Sequence, residues 1–192
     1  MFVGISTRRK TVLRWAAPLL FVALWLAYVL GALLHRAELD WGVLSGGLDS
    51  LAAWRRAFVD GSVLRLFSAL FLHADWIHLL GNLVFLLIFG LPAERAMGGW
   101  RFLALFLLGG AVSNFAAVLA IDAPDRVIIG ASGAVSAVIG AYLALFPGAR
   151  LGVVLPLGIF LQFVRVPASL LIGLWALLQV VFAYSGPAFG AV

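Results

Sequence analysis

The sequence predicts an all-α fold: a polytopic membrane helix bundle. Three observations favour this class. The chain has 192 residues, of which 65% are hydrophobic and 11% charged. Its mean hydropathy is +1.15, and its apolar residues gather in runs close to the length of about 20 residues that a membrane-spanning helix needs. A soluble domain of this length has no core large enough to bury so much apolar surface.

The first apolar run, residues 12–34, predicts a first transmembrane helix after a short cytoplasmic N-terminus at residues 1–11. Residues 35–65 then form a loop on the outer side. Leu44, Leu48, Leu51 and Trp54 recur in this loop at near-helical spacing. We therefore expect an amphipathic helix that lies along the membrane surface.

Four further runs predict transmembrane helices at residues 73–91, 102–121, 127–146 and 167–184. Residues 151–166 are also apolar, but glycine, proline, glutamine and arginine interrupt them, and we expect an interfacial or re-entrant connection there. No repeat or linker divides the chain, so residues 1–192 are predicted to form a single domain with five spans.

Charged residues cluster at the ends of these spans. The formal net charge is +5, which we attribute to membrane topology rather than to nucleic-acid binding. Most basic residues fall on the side of the N-terminus, which is therefore predicted to be cytoplasmic. The chain has no cysteine, so no thiol nucleophile and no disulfide is expected.

Ser132 is flanked by Gly130 and Gly133 within an apolar span. Glycines on both sides permit a tight backbone at a helix start, where free N–H groups favour an oxyanion. From Gly133 onward small residues recur every three or four positions, which lets a neighbouring helix approach closely. The alternative is a serine in a packing motif that bonds a backbone carbonyl.

His78 and Asn82 lie four residues apart and are expected to share one helix face. Both side chains donate hydrogen bonds and together can hold a developing negative charge. His73 is five residues before His78, so we expect it to point elsewhere, near the outer surface. A polar clamp or a metal site is the alternative, but that spacing disfavours shared coordination, and no metal or other cofactor is expected. Glu94 with Arg95 indicates a helix end, without chemistry.

These elements together resemble the rhomboid family of intramembrane serine proteases, from about Leu64 onward. The matching residues are Phe71-Leu72-His73, His78-Leu79, Asn82, Gly90 with Glu94 and Gly98, Gly130-Ala131-Ser132-Gly133, Gly140-Ala141-Tyr142, Phe146-Pro147, Ala149-Arg150, Val166-Pro167-Ala168, and Trp175 with Gln179. The resemblance implies a Ser-His dyad with Ser132 as nucleophile. It also implies an oxyanion hole formed by His78, Asn82 and the Ser132 backbone N–H.

The resemblance further implies transmembrane protein substrates and a multi-pass position in a cell membrane, here the inner membrane of a bacterium. Two departures concern packing: Leu64-Arg65 replaces a Trp-Arg pair, and Ser136 replaces an aromatic residue four positions after the serine. The third concerns chemistry. The family's base is a histidine on a sixth span, and none of His35, His73 and His78 matches it.

Two explanations of the missing base remain open. We expect a chain cut short before the sixth span, because the serine, histidine and asparagine are all retained. The alternative is a five-span, non-catalytic pseudoprotease that binds membrane helices. A transporter or channel is disfavoured, because the spans carry almost no charge and show no repeated halves.

Overall fold

A computed structural model describes residues 14–34, 41–44, 50–121, 126–157 and 160–185. Five longer helices make up most of it, which confirms the predicted helical membrane bundle. They are α1 (Ala16–Leu34), α4 (Trp76–Met97), α5 (Gly99–Ala120), α6 (Ser132–Leu145) and α7 (Ala168–Ser185). Between α1 and α4 the described residues include the short helices α2 (Leu51–Val59) and α3 (Arg65–Ser68), with 3-10 turns at Ser62–Leu64 and Ala69–Phe71.

Two antiparallel strand pairs were not predicted. Strand β1 (Val43–Leu44) pairs with β2 (Val127–Ile128), and β3 (Arg150–Leu157) pairs with β4 (Phe160–Pro167). The second pair forms the connection between α6 and α7 at residues 151–166, and its interfacial or re-entrant position stays a prediction. Those residues are rich in valine, leucine and phenylalanine, which suit a strand as well as an apolar helix.

Helices α1, α4 and α5 are long and apolar enough to cross a membrane, whereas α6 and α7 contain shorter apolar stretches. That all five are membrane spans stays a prediction. The predicted span at 73–91 begins later and ends later, at Trp76 and Met97, because Asp75 caps its start and Pro92 does not end it. The helix predicted at 102–121 differs in the opposite direction, since it begins earlier than predicted, at Gly99.

The helix predicted over 127–146 is wrong in its first five residues. Val127 and Ile128 are extended, and Gly130 has a φ of +115°. Helix α6 therefore has only 14 residues, or about 21 Å, against the roughly 30 Å of a hydrocarbon core. If its C-terminal end lies at the membrane boundary, Ser132 lies within the membrane.

The stripe predicted in the outer loop is not a single helix, since its first residue is extended, and whether α2 lies along the membrane surface stays a prediction. Leu44 lies in β1, and Leu48 lies outside the described residues. Leu51 is 80% exposed, while the buried positions of α2 are Ala53 and Ala57. The large side chain that α2 packs against the bundle is Trp54, whose ring lies 5.0 Å from that of Phe115 on α5.

The main hydrophobic core lies between α1, α4, α5 and α6, where Phe89, Phe102 and Phe106 are fully buried. Helices α5 and α6 lie in close contact at two glycines of α5. A Cβ on Gly109 would lie 2.5 Å from the Cβ of Ala137, and one on Gly110 would lie 2.9 Å from that of Ala134. The predicted small-residue contact is therefore confirmed, with α5 as the partner helix.

Candidate functional site

A cavity of about 300 Å³ lies between the N-terminal ends of α4 and α6 and the sides of α5 and α7. Its wall contains five of the residues singled out in the sequence: Ser132 with its neighbours Gly130 and Gly133, and His78 with Asn82. The remaining wall is largely apolar, from residues such as Ile77, Phe85 and Ile129. A few polar groups in an apolar cavity are typical of a binding or catalytic site.

Ser132 is the first residue of α6. The preceding residue, Ala131, provides no side-chain cap, so the first N–H groups of this helix have no partner within it. The Gly130 N–H donates to the carbonyl of Ala69 at 2.9 Å, which fixes the segment before the serine. Local chemistry and tertiary contacts therefore place a hydroxyl and free amides at one helix start.

Gly130 brings this segment against His78. A Cβ at position 130 would lie 2.7 Å from Cε1 and 2.8 Å from Nε2 of His78, and the φ of +115° is itself unfavourable for other residues. The imidazole therefore lies on the backbone just before the serine. His78 is held from its own helix as well, since its backbone N–H donates to Asp75 at 2.8 Å.

Asn82 lies one turn further along α4 and is 1% exposed. Neither its amide nitrogen nor its amide oxygen has a hydrogen-bond partner among the described residues. Buried amides are nearly always paired, and an unpaired one beside a cavity is available to whatever enters it. His78 and Asn82 thus lie on one helix face, and they line the same cavity as Ser132.

The prediction that His73 points away from His78 is wrong. Their ring centroids are 5.1 Å apart in an edge-to-face arrangement, and His73 is buried in the protein, with 5% of its surface exposed. Its predicted level near the outer surface of the membrane stays a prediction. Helical spacing does not apply because His73 lies in the turn before α4, ahead of the capping Asp75. Among the described residues no group of three or more candidate ligands is arranged to hold a metal ion.

Comparison with known proteins gives the family of the chain. A family model described as the Rhomboid domain matches residues 60–191. The chain belongs to the rhomboid family. Among its relatives, "RHOMBOID-like protein 5" of Arabidopsis thaliana is 33% identical over 47% of this chain and 29% of its own length.

Two further relatives of rhomboid type come from other kingdoms. "Putative rhomboid protease YdcA" of Bacillus subtilis is 32% identical over 50% of this chain and 47% of its own length. "Rhomboid-related protein 1" of Caenorhabditis elegans is 40% identical over 44% of this chain and 23% of its own length. The chain thus spans less than half the length of these curated relatives.

Ser136 has a structural part in this rhomboid that the sequence did not indicate. Its hydroxyl donates to the Ser132 carbonyl at 2.8 Å and accepts from the Trp175 indole N–H at 3.0 Å. Trp175 is 5% exposed, and its ring lies 4.6 Å from that of Phe85 on α4. The indole thereby ties α7 to the helix that begins at Ser132.

Glu94 is the second residue whose part was missed. It lies in the last turn of α4, as predicted for a helix end, but its side chain is fully buried. Its carboxylate accepts the N–H groups of Trp15 and Ala16, each at 2.8 Å, and that of Ala17 at 3.0 Å. These donors start α1, so Glu94 caps a helix far away in sequence.

Proposed function

We propose that this chain forms the core of an intramembrane serine endopeptidase in which Ser132 is the nucleophile. The carrying observation is the shared cavity wall of Ser132, His78 and Asn82. Asn82 supports the proposal most directly, because a buried amide without partners is costly unless it serves a bound group. The family to which the chain belongs gives the reaction its class.

In this mechanism the Ser132 hydroxyl attacks the scissile carbonyl and passes its proton to a base. The base then returns the proton to the leaving amine, and water hydrolyses the acyl-enzyme. Negative charge develops on the former carbonyl oxygen. The Ser132 N–H at the start of α6, the His78 imidazole and the Asn82 amide stabilise that oxyanion.

We assign the base to a histidine on a further helix, as the family resemblance implies. One face of α6 supports this assignment. Ser136, Gly140 and Ala144 follow one another at helical spacing and are all exposed, and a Cβ on Gly140 would meet no atom within 4 Å. This face is therefore open, within the described part of the chain, to a helix packing close to Ser132.

The proposed substrates are transmembrane segments of other proteins, and the reaction needs neither metal nor other cofactor. We place the protein in a bacterial inner membrane with a cytoplasmic N-terminus. Trp175, Leu178 and Gln179 of α7 line the cavity on one side. A substrate segment unwinding beside α7 would present its backbone to Ser132 inside the membrane, where closed surroundings strengthen the oxyanion contacts.

A fluorophosphonate probe tests the proposal on the complete gene product reconstituted in liposomes. We expect labelling of the wild type at Ser132 and no labelling of Ser132→Ala. Ser62→Ala, a change in the outer loop, is the matched control and should label like the wild type. If the wild type is not labelled but still captures a transmembrane peptide, the result would instead support the alternative of a non-catalytic pseudoprotease.

The oxyanion assignment has its own test. Removing one oxyanion donor typically lowers kcat by about 100-fold to 1,000-fold. Asn82→Ala should therefore lower kcat for a transmembrane substrate by about that factor with little change in KM. A change confined to KM would assign Asn82 to substrate binding instead.

A further inference from the structure

Five exposed arginines lie at the end of the bundle opposite the cavity. We call this surface the arginine end. It consists of Arg14, Arg95, Arg101, Arg150 and Arg165.

Two contacts bring the first three of these arginines together. The N–H of Trp15, next to Arg14, donates to Glu94, next to Arg95. The Trp15 ring lies 4.8 Å from that of Trp100, next to Arg101. The start of α1, the end of α4 and the start of α5 therefore meet at one place.

Helix α6 leads to the same end. Its start lies at the cavity with the start of α4, and further along the Tyr142 ring lies 5.0 Å from that of Phe89. The two helices thus run in the same direction. The β3–β4 hairpin follows α6, and its base is closed by the Ala168 N–H, which donates to the carbonyl of Ala149 at 2.9 Å. Helix α7 begins at that base.

The register of the hairpin places its two arginines on one face. Arg165 is paired with Gly152, which is two residues from Arg150 on the neighbouring strand. Residues two apart on a strand share a face, as do directly paired residues. Leu151 and Val166 form the pair between them and lie on the opposite face, where Leu151 packs against the main core. The arginine face is consequently directed away from the core.

No exposed carboxylate offsets this charge among the described residues. Glu94 is the acidic residue at this end within the described ranges, and it is fully buried. Its two oxygens already accept three backbone N–H groups of α1. The five exposed arginines thus carry unbalanced positive charge at the end of the bundle where α6 ends and α7 begins.

We propose that the arginine end binds the head groups of anionic phospholipids, with Arg150 and Arg165 as a paired phosphate site. Guanidinium groups bind phosphate oxygens through two parallel hydrogen bonds. Basic residues beside a membrane segment are attracted to an anionic leaflet. The occupant is a lipid because apolar helices flank the hairpin on both sides. This inference does not depend on the proposed protease activity.

Native mass spectrometry of the complete protein, released from bicelles of phosphatidylcholine with added phosphatidylglycerol, tests the proposal. The variant is Arg150→Gln with Arg165→Gln. The control, Arg55→Gln with Arg56→Gln, changes the same charge on exposed α2 at the cavity end. We expect the first variant to lose affinity for phosphatidylglycerol by about fivefold per arginine. The control should stay close to the wild type.

Equal losses in the two double variants would overturn the assignment. A second measurement uses only the wild type: retention of phosphatidylglycerol should fall as sodium chloride is raised, whereas retention of phosphatidylcholine should not. Salt-independent retention would contradict a charge-based site. Inorganic phosphate at the same concentration should not displace the lipid, and full displacement would identify a soluble anion site.

Discussion

Glu94 provides the sharpest stability test, because its carboxylate holds the first turn of another helix. Replacing it with alanine leaves the N–H groups of Trp15, Ala16 and Ala17 without their acceptor. A hydrogen bond to a charged group contributes about 1.5 to 3 kcal/mol, and loss of a helix cap costs about 0.5 to 2 kcal/mol. These losses share one helix end and are not additive, so we expect Glu94→Ala to lower the free energy of unfolding by about 4 kcal/mol.

Glu94→Gln separates the acceptor from the size of the side chain. The amide oxygen can still accept from Trp15 and Ala16, which share one carboxylate oxygen. The amide nitrogen would face the Ala17 N–H, where a donor meets a donor. We expect a loss of about 2 kcal/mol, roughly half that of alanine.

Reversible unfolding in dodecyl maltoside micelles, titrated with sodium dodecyl sulfate, measures these differences. Arg95→Gln is the matched control, since Arg95 is the exposed neighbour and exposed substitutions change stability by about 0.5 kcal/mol or less. A cost for Glu94→Ala no larger than that of the control would refute the capping argument. Equal costs for glutamine and alanine would refute the role given to the retained acceptor.

Three further predictions concern the site. Gly130→Ala should lower the free energy of unfolding by about 1 to 3 kcal/mol, because the new Cβ meets His78 and the φ is unfavourable for alanine. Probe labelling should fall at least as much as the folded fraction falls. Asp75→Ala should cost about 1 kcal/mol in the unfolding titration and Asp75→Asn little, since asparagine also caps; equal costs would contradict capping. Trp175→Phe removes the bond to Ser136 and should cost about 1 kcal/mol, and a neutral result would assign no energy to that bond.

The long helices were predictable because an apolar run of about 20 residues has few other solutions in lipid. The start of α6 was not. Val127 and Ile128 are as apolar as the helix they precede, and their strand partners, Val43 and Leu44, are distant in sequence. Hydropathy therefore adds five residues to the predicted span that are not helical in the structure, and for Val127 and Ile128 only the tertiary strand pairing distinguishes strand from helix.

The same division holds for the candidate site. That His78 and Asn82 lie near each other follows from helical spacing, and glycines around Ser132 indicate a helix start. His73 could not be placed, because its contact with His78 depends on where α4 begins. The capping contact of Glu94 could not be predicted either, since its partners are backbone groups of another helix, which leave no pattern in side-chain identity.

Cleavage of a transmembrane substrate by the complete gene product in proteoliposomes tests the central claim most directly. Wild type, Ser132→Ala and the outer-loop control Ser62→Ala are compared on one substrate by gel mobility and by mass of the products. We predict cleavage by the wild type and the control and none by Ser132→Ala. Cleavage retained after Ser132→Ala would contradict the assignment of Ser132 as the nucleophile.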